Sequence, residues 1–240
     1  MSTTSPRRSG RRKGLVVAQR EADRRRRLVL VSAAVAILVL VAAVIGFGLY
    51  RAQQHAAAVV VPRGATEQGI PIGNPGAGVT LDLYEDFQCP VCKQFEEVSG
   101  PTIDELIRAG TIRVIYHPVA FLDRMSTTTY SSRASAAAGC AAADGIYPKF
   151  ATGLFTHQPP EGGVGLPTET VIALGEAAGA GPDFVSCVQN GTHAGWSRQL
   201  TDTASRNGVT ATPTVRVNGH EVTDCTPAGL KAAIAAVHPH

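Results

Sequence analysis

Residues 79–92, VTLDLYEDFQCPVC, place two cysteines directly after a run of alternating apolar residues. The alternation over residues 79–84 predicts a strand, and the residues from Cys89 onward have helical spacing. The free amides and the dipole at a helix N-terminus stabilise a thiolate at the first cysteine. Cys92 lies one turn further in, where it can attack a mixed disulfide. The pattern therefore predicts chemistry of thiol–disulfide exchange at Cys89 and Cys92.

A CxxC pair can also bind zinc or form a purely structural disulfide. A structural zinc site needs four ligands, commonly from two paired motifs, and the sequence has no second CxxC. His117 has no partner at ligand spacing, and the seven histidines form no metal-binding pattern. We therefore expect no metal and no cofactor, while a purely structural disulfide in the two-residue loop stays an open alternative.

The predicted helix after Cys89 carries a mixed surface. Phe95 and Val98 are expected to share its buried face, and Glu96-Glu97 to lie on a solvated face. Gly100-Pro101 predicts a kink. A second strand is predicted over residues 111–116, TIRVIY.

The C-terminal part returns to strands after a long helical stretch. Val215 and Val217 mark a third strand, Asn218-Gly219 a tight turn and Glu221-Val222 a short fourth strand. Thr226 is predicted to cap a last helix. The 97 residues between the second and third strands are rich in alanine and have a helical period. Periodicity alone therefore indicates an α/β fold with helices between the second and third strands.

The N-terminal part has a different composition. Residues 1–27 hold ten of the 22 Lys and Arg residues and two acidic ones, whereas residues 28–50 carry no charge. Twenty-three apolar residues are long enough to cross a bilayer. The positive-inside rule then places the basic tail in the cytoplasm and residues 51–240 outside it. A cleaved signal peptide is the rival interpretation, although the apolar run is longer than usual for one.

These boundaries give four segments. We predict a basic cytoplasmic tail (1–27), one transmembrane helix (28–50), a linker (51–69) and a folded domain (70–240) with a helical insertion at about 118–208. Residues 28–240 hold 12 basic and 17 acidic residues, so the folded part is mildly acidic. That balance argues against a nucleic-acid partner.

Two motifs together carry a family resemblance. The residues 84–92, YEDFQCPVC, and the residues 208–214, GVTATPT, resemble the DsbA-like branch of the thioredoxin superfamily, in particular its membrane-anchored actinobacterial members. The resemblance covers about residues 70–238. It implies a thioredoxin-like fold with an inserted helical subdomain, exchange activity on secreted proteins, and a cis proline, Pro213, that faces the CxxC. Thr212 and Pro213 are then expected to bind the backbone of an extended substrate.

The sequence departs from the family pattern at two positions. Many members have an acidic residue six positions before the first cysteine, where this chain has Leu83; Glu85, Asp82 and Asp86 are the nearby acids. Strongly oxidising relatives often have histidine where this chain has Val91. Valine offers no charge to the Cys89 thiolate, so we expect a milder oxidant.

Three cysteines lie outside the motif: Cys140, Cys187 and Cys225. An oxidising compartment predicts a second disulfide, and sequence rules leave all three pairings open. Related actinobacterial proteins bridge the helical subdomain, so the resemblance implies a Cys140–Cys187 bond. Cys225 would then remain single and half-buried.

The function that best fits these features is an extracytoplasmic oxidase that introduces disulfides into exported cysteine-containing proteins. The resemblance also implies reoxidation by a membrane partner, either DsbB-like or a vitamin K epoxide reductase homologue. A reductase or isomerase on the same scaffold remains an alternative, because the CxxC does not fix the direction of exchange. A membrane-tethered binding module or chaperone with a structural CxxC is an alternative of a different class.

Overall fold

The computed structural model describes residues 30, 31, 35, 37–47 and 59–237. Residues 37–47 are helical, and the described part of the chain contains no helix with the length and apolar character needed to cross a membrane. The predicted tail (1–27), nine residues of the predicted span (28–50) and residues 51–58 of the predicted linker lie outside the described residues. The chain divides into two units, Met1–Ala56 and Ala57–His240, and the fold below is that of the second.

A five-stranded mixed sheet forms the centre of this unit. Its strands are β1 (Ile70–Gly73), β2 (Val79–Glu85), β3 (Ile112–Pro118), β4 (Thr214–Val217) and β5 (His220–Glu221). They lie in the order β1-β3-β2-β4-β5. The strands β2 and β3 are parallel, with Leu81 opposite Val114, and the other neighbouring pairs are antiparallel. A parallel pair needs a crossover connection, which helix α1 (Pro90–Arg108) supplies.

The central strands follow the predicted alternation. Val79, Leu81 and Leu83 are fully buried in β2, and the turn between β4 and β5 has positive φ at Asn218 (48°) and Gly219 (83°), as a tight hairpin requires. Strand β1 was not predicted. Its four residues, IPIG, include a proline and a glycine that weaken the strand signal, and it forms through antiparallel pairing with β3.

The segment between β3 and β4 is helical, as predicted. A 3-10 turn at Phe121–Met125 comes first. Five α-helices follow: α2 (Tyr130–Ala143), α3 (Tyr147–Thr156), α4 (Thr168–Ala178), α5 (Asp183–Gln189) and α6 (Ala194–Arg206). Small side chains let the buried helix α2 pack closely, since Ala134, Ala137, Ala138 and Ala141 are all within the core. The expected α/β fold with a helical insertion is confirmed.

Helix α1 differs from the prediction on one face. Phe95 is buried, but Val98 is 52% exposed, so the expectation that these two residues share a buried face is wrong. The buried face instead carries Cys92, Phe95, Ser99 and Ile103, because α1 packs on the sheet and leaves the side that bears Val98 open to a groove. The last helix, α7 (Pro227–Val237), begins as predicted, with the Thr226 hydroxyl accepting a bond of 3.2 Å from the Gly229 amide.

Candidate active site

Cys89 lies at the junction between β2 and α1. It is the N-cap residue of α1, with extended backbone (φ −81°, ψ 116°), and Pro90 follows within the first helical turn. The first turn contains no acidic residue, so no carboxylate competes for the free amides of the helix N-terminus. Of the Cys89 residue surface, 7% is exposed, whereas Cys92 has none. Only one of the two sulfurs therefore borders the protein surface.

The surroundings of Cys89 favour its thiolate. A hydrogen bond from the Cys92 thiol is the main cause that lowers the pKa of Cys89 to about 6. The side chain of Thr212 and the backbone amides of Cys92 and Val91 add to this effect, while burial opposes it. A thiolate at neutral pH is the reactive form in disulfide exchange, so Cys89 has the properties of a nucleophile.

Cys92 is the opposite case. Burial is the main cause that raises its pKa far above the ordinary thiol value, and the nearby charges of Glu85 and Cys89 act in the same direction. A group that cannot ionise alone in a buried site needs a proton acceptor close by. Cys92 is thus suited to stay protonated until its turn to react.

The buried Glu85 and the half-buried Glu96 form an acid pair beside Cys92. Burial raises the pKa of Glu85 well above its usual value, and Glu96 raises it further. Burial also raises the pKa of Glu96, to about 7. In the described residues, Glu85 Oε1 has no hydrogen-bond partner. The expectation of a solvated face at Glu96 is therefore wrong, because Glu96 reaches from α1 towards the end of β2.

The other candidate acids serve the structure around the site. Asp82 bonds His117 Nε2 at 2.9 Å. Asp86 accepts hydrogen bonds from the Ser131 hydroxyl (2.6 Å) and from the amides of Gln88 and Leu122 (2.9 Å each). Burial outweighs these bonds and raises the pKa of Asp86 to about 6. Asp86 therefore ties the motif to the insertion.

The predicted substrate loop lies against Cys89. The Thr212–Pro213 peptide bond is cis, and the Cys89 thiol donates to the Thr212 carbonyl at 3.4 Å. Cys89 and Thr212 border a groove of about 610 Å³. Its walls are Cys89, the 3-10 turn, residues 210–212 and Glu161. An extended polypeptide could thus lie along the loop with its own sulfur next to Cys89.

A second groove, of about 330 Å³, lies on the other side of the motif. It is lined by Val91, Val98, Pro213 and Cys225, among others. Val91 is 57% exposed, so the third position of the motif faces solvent. Cys225 is half-buried and free, as the sequence predicts.

The structure brings Cys140 and Cys187 together in a disulfide, with an S–S distance of 2.02 Å. His193 lies close by, and ligand atoms of these three residues are within 4.8 Å of one another. The two sulfurs are bonded to each other, and His193 Nδ1 faces the Val60 carbonyl at 2.7 Å. The bond joins α2 to α5 within the insertion.

Sequence reasoning missed two glutamines at the site. Gln158, which follows α3, donates from Nε2 to the carbonyls of Phe87 (3.1 Å) and Cys89 (2.9 Å). Gln88 is fully buried, and its Nε2 atom donates to the carbonyls of Pro160 and Gly163 in the loop that follows α3. No signal near the motif indicates Gln158, because it lies 69 residues beyond Cys89.

Comparison with known proteins identifies the class. The model of the family described as thioredoxin matches residues 65–236, so the chain belongs to the thioredoxin family. Within it, residues 65–236 form a DsbA-like thiol–disulfide oxidoreductase domain. The reduced crystal structure of DsbA from Mycobacterium tuberculosis is similar, with 34% identity and a TM-score of 0.61 over 72% of this chain and 89% of that one.

Two further proteins are similar to this chain. The reduced disulfide bond oxidoreductase DsbG of M. tuberculosis has 35% identity and a TM-score of 0.61, over 72% of this chain and 85% of that one. The serine/threonine-protein kinase PknE of M. tuberculosis is 31% identical over 144 residues, which are 57% of this chain and 25% of the kinase. The chain thus spans about a quarter of the length of the curated relatives that it matches.

Proposed function

We propose that the protein is an oxidase that transfers the Cys89–Cys92 disulfide to exported proteins. The observation that carries this proposal is the contrast between the two cysteines: Cys89 borders the groove with a pKa lowered to about 6, whereas Cys92 is buried. A stabilised Cys89 thiolate favours the reduced enzyme, and a stable reduced form makes its disulfide a better oxidant.

The exchange has two steps. A substrate thiolate attacks Cys89 Sγ, the Cys89–Cys92 bond breaks, and Cys92 leaves as a thiolate that takes up a proton. A second substrate thiolate then attacks the substrate sulfur of the mixed disulfide and releases the Cys89 thiolate. The substrate loses two electrons and the enzyme gains two. Thr212 and Pro213 hold the substrate backbone during both steps.

Glu85 is the proposed proton partner of Cys92. It is buried next to Cys92, and burial raises its pKa well above the usual value, which favours the protonated carboxyl group. It can therefore protonate the leaving Cys92 thiolate and, in the reverse direction, accept the Cys92 proton. Leu83, at the position where many relatives carry the acid, is fully buried in the core.

Mixed-disulfide trapping tests the roles of the two cysteines. Cys92→Ala should accumulate covalent complexes with disulfide-containing substrate proteins. Cys89 attacks the substrate disulfide, one substrate sulfur leaves as a thiolate, and no second enzyme thiol is present to resolve the mixed disulfide. Cys89→Ala should accumulate almost none. Equal trapping by both variants would contradict the assignment of Cys89 as nucleophile.

The reduction potential separates the oxidase from its alternatives. Potentials of about −120 mV are typical of a strong oxidant and about −270 mV of a reductant. Because Val91 provides no charge near Cys89, we expect a value between these, above about −200 mV. A value near −270 mV would favour a reductase, and a domain inert towards reduced and oxidised substrates would favour a tethered binding module.

We also propose a single-pass membrane protein, with residues 28–50 as anchor, the N-terminus in the cytoplasm and the folded domain outside. The basic excess in residues 1–27 supports this orientation. Exported cysteine-containing proteins would be its substrates, and a DsbB-like protein or a vitamin K epoxide reductase homologue would reoxidise it. A reporter enzyme that works only outside the cytoplasm should be active when it is fused after His240. Activity of a reporter that works only in the cytoplasm would show the opposite topology.

A further inference from the structure

Residues 157–167, here called the clasp loop, join α3 to α4 and lie beside the active-site turn. Gln158 begins this contact. Its Nε2 atom donates to the carbonyls of Phe87 (3.1 Å) and Cys89 (2.9 Å). One side-chain amide thus bridges the two carbonyls that flank Gln88, immediately before α1 begins.

Gln88 forms the reciprocal contact. Its Nε2 atom lies 3.4 Å from the Pro160 carbonyl and 3.3 Å from the Gly163 carbonyl. Gln88 is fully buried, and the two bonds are partly buried. The motif and the clasp loop therefore hold each other through two glutamines, and Glu161, on the same loop, lines the groove that contains Cys89.

The Cys89 carbonyl is a sensitive point in this arrangement. It also accepts hydrogen bonds from the backbone amides of Cys92 (3.1 Å) and Lys93 (3.2 Å). It is therefore the first carbonyl in the hydrogen-bond pattern of α1. Its direction fixes the first helical turn, and that turn aims the amides of Val91 and Cys92 at the Cys89 sulfur. A donor that holds this carbonyl from outside the helix also holds the turn.

We propose that Gln158 is a positioning residue that fixes the Cys89 turn and so sets the stability of the Cys89 thiolate relative to the disulfide. The inference rests on the proposed role of Cys89 as the nucleophile. Gln158 touches neither sulfur in the described contacts and acts through the backbone of Cys89. The helical insertion thereby tunes the redox centre of the thioredoxin-like core.

Two variants test this role. Gln158→Met keeps the length of the side chain and removes the donor, while Gln158→Glu keeps the shape and adds a negative charge. Loss of a hydrogen bond that favours the reduced form should change the equilibrium constant with glutathione about threefold to tenfold, towards a weaker oxidant. Gln158→Glu should shift it further, because a carboxylate near Cys89 also raises the pKa of its thiol.

Gln189→Met, at the exposed end of α5, is the matched control and should leave the equilibrium constant unchanged. A merely structural role predicts equal destabilisation of the oxidised and reduced forms in urea and hence no change in the equilibrium constant. That result for both Gln158 variants would overturn the proposal. If one variant fails to fold, the other decides.

Trapping keeps this inference distinct from the proposed function. When Cys92→Ala traps substrate but the Gln158 variants leave the glutathione equilibrium unchanged, the positioning role is wrong and the nucleophile is right. When Cys92→Ala traps nothing, the role of Cys89 itself is wrong, and the positioning role is overturned with it.

Discussion

At the scale of single residues, two identical thiols acquire opposite properties from their positions on one helix. Cys89 caps the N-terminus of α1 and meets several donors, whereas Cys92 lies one turn inside and meets the buried Glu85. The largest single influence on Cys89 is Cys92 itself. The two residues therefore form one titrating unit rather than two separate sites.

This coupling predicts the effect of removing the second thiol. Cys92→Ala deletes the principal hydrogen bond to the Cys89 sulfur, so the pKa of Cys89 should rise from about 6 towards the free value of about 8.5. The rate of iodoacetamide alkylation against pH measures it. Cys225→Ala, which changes a thiol in the neighbouring groove, should leave the profile of Cys89 where it is. An unchanged profile in Cys92→Ala would mean that the helix amides alone stabilise the thiolate.

Val91 is the exposed position from which the potential can be tuned. An imidazolium there can lie near the Cys89 thiolate, and it gains nothing comparable from the uncharged disulfide. Val91→His should raise the reduction potential by about 10–40 mV, measured in glutathione buffers. Val98→His, on the same helix and in the same groove, should shift it far less. Equal shifts in the two variants would show that charge acts at a distance and not on the sulfur.

Residue roles were predictable from the sequence where local chemistry decides them. The CxxC after a strand indicated Cys89 and Cys92 without a structure. Glu96 was misjudged because its neighbour Glu97 suggested a solvated face, although Glu96 is one turn from the buried Cys92. Glu96 is half-buried because it pairs with Glu85, which lies at the end of β2. Gln158 was missed because chain distance hides contacts that only the folded insertion creates.

At the scale of elements, alternation and helical period located most of the fold. The strands β2 and β3 and the final helix have strong internal patterns. The edge strand β1 does not, since IPIG is defined by its pairing with β3 rather than by its own residues. The prediction for Val98 was wrong because helical spacing shows which residues lie on the same face of a helix. It does not show how wide a strip of that face is buried against the core.

Close packing between α4 and α5 depends on one glycine. A Cβ atom on Gly175 would overlap the ring of Phe184, and Phe184 is 1% exposed, so the ring has little room to move. Gly175→Ala should lower the free energy of unfolding by about 1–3 kcal/mol, measured by urea denaturation. Gly78→Ala, where nothing lies within 4 Å of the added atom, should change it by less than about 0.5 kcal/mol. A neutral Gly175→Ala would indicate that the two helices separate easily.

At the scale of the whole molecule, buried carboxyl groups link stability to pH. Burial raises the pKa of Glu96 to about 7 and that of Asp86 to about 6. Between pH 4.5 and 7 the folded state therefore holds more protons than the unfolded state, and stability falls as pH rises. The oxidised domain, whose motif cysteines do not titrate, should lose about 1–3 kcal/mol across this window.

Matched glutamine variants test the source of this loss. Glu96→Gln keeps an oxygen that can accept from Glu85 and removes the titrating proton, so the fall in stability with pH should become shallower. Glu97→Gln, at the exposed neighbouring position, should keep the slope of the parent. Urea denaturation of the oxidised domain at a series of pH values gives these slopes. A stability that rises through the window would contradict the assignment.

The complete burial of Cys92 has a consequence for the order in which the enzyme reacts with electron donors and acceptors. Every molecule that reduces or oxidises this domain must react at the Cys89 sulfur, so electron donors and acceptors compete for one site. The domain cannot react with an electron donor and an electron acceptor at once, so turnover must alternate between them in ping-pong order. Under the proposed function, an excess of reduced substrate protein would compete with the reoxidising partner for Cys89, and the rate of disulfide transfer would pass through a maximum as the substrate concentration rises.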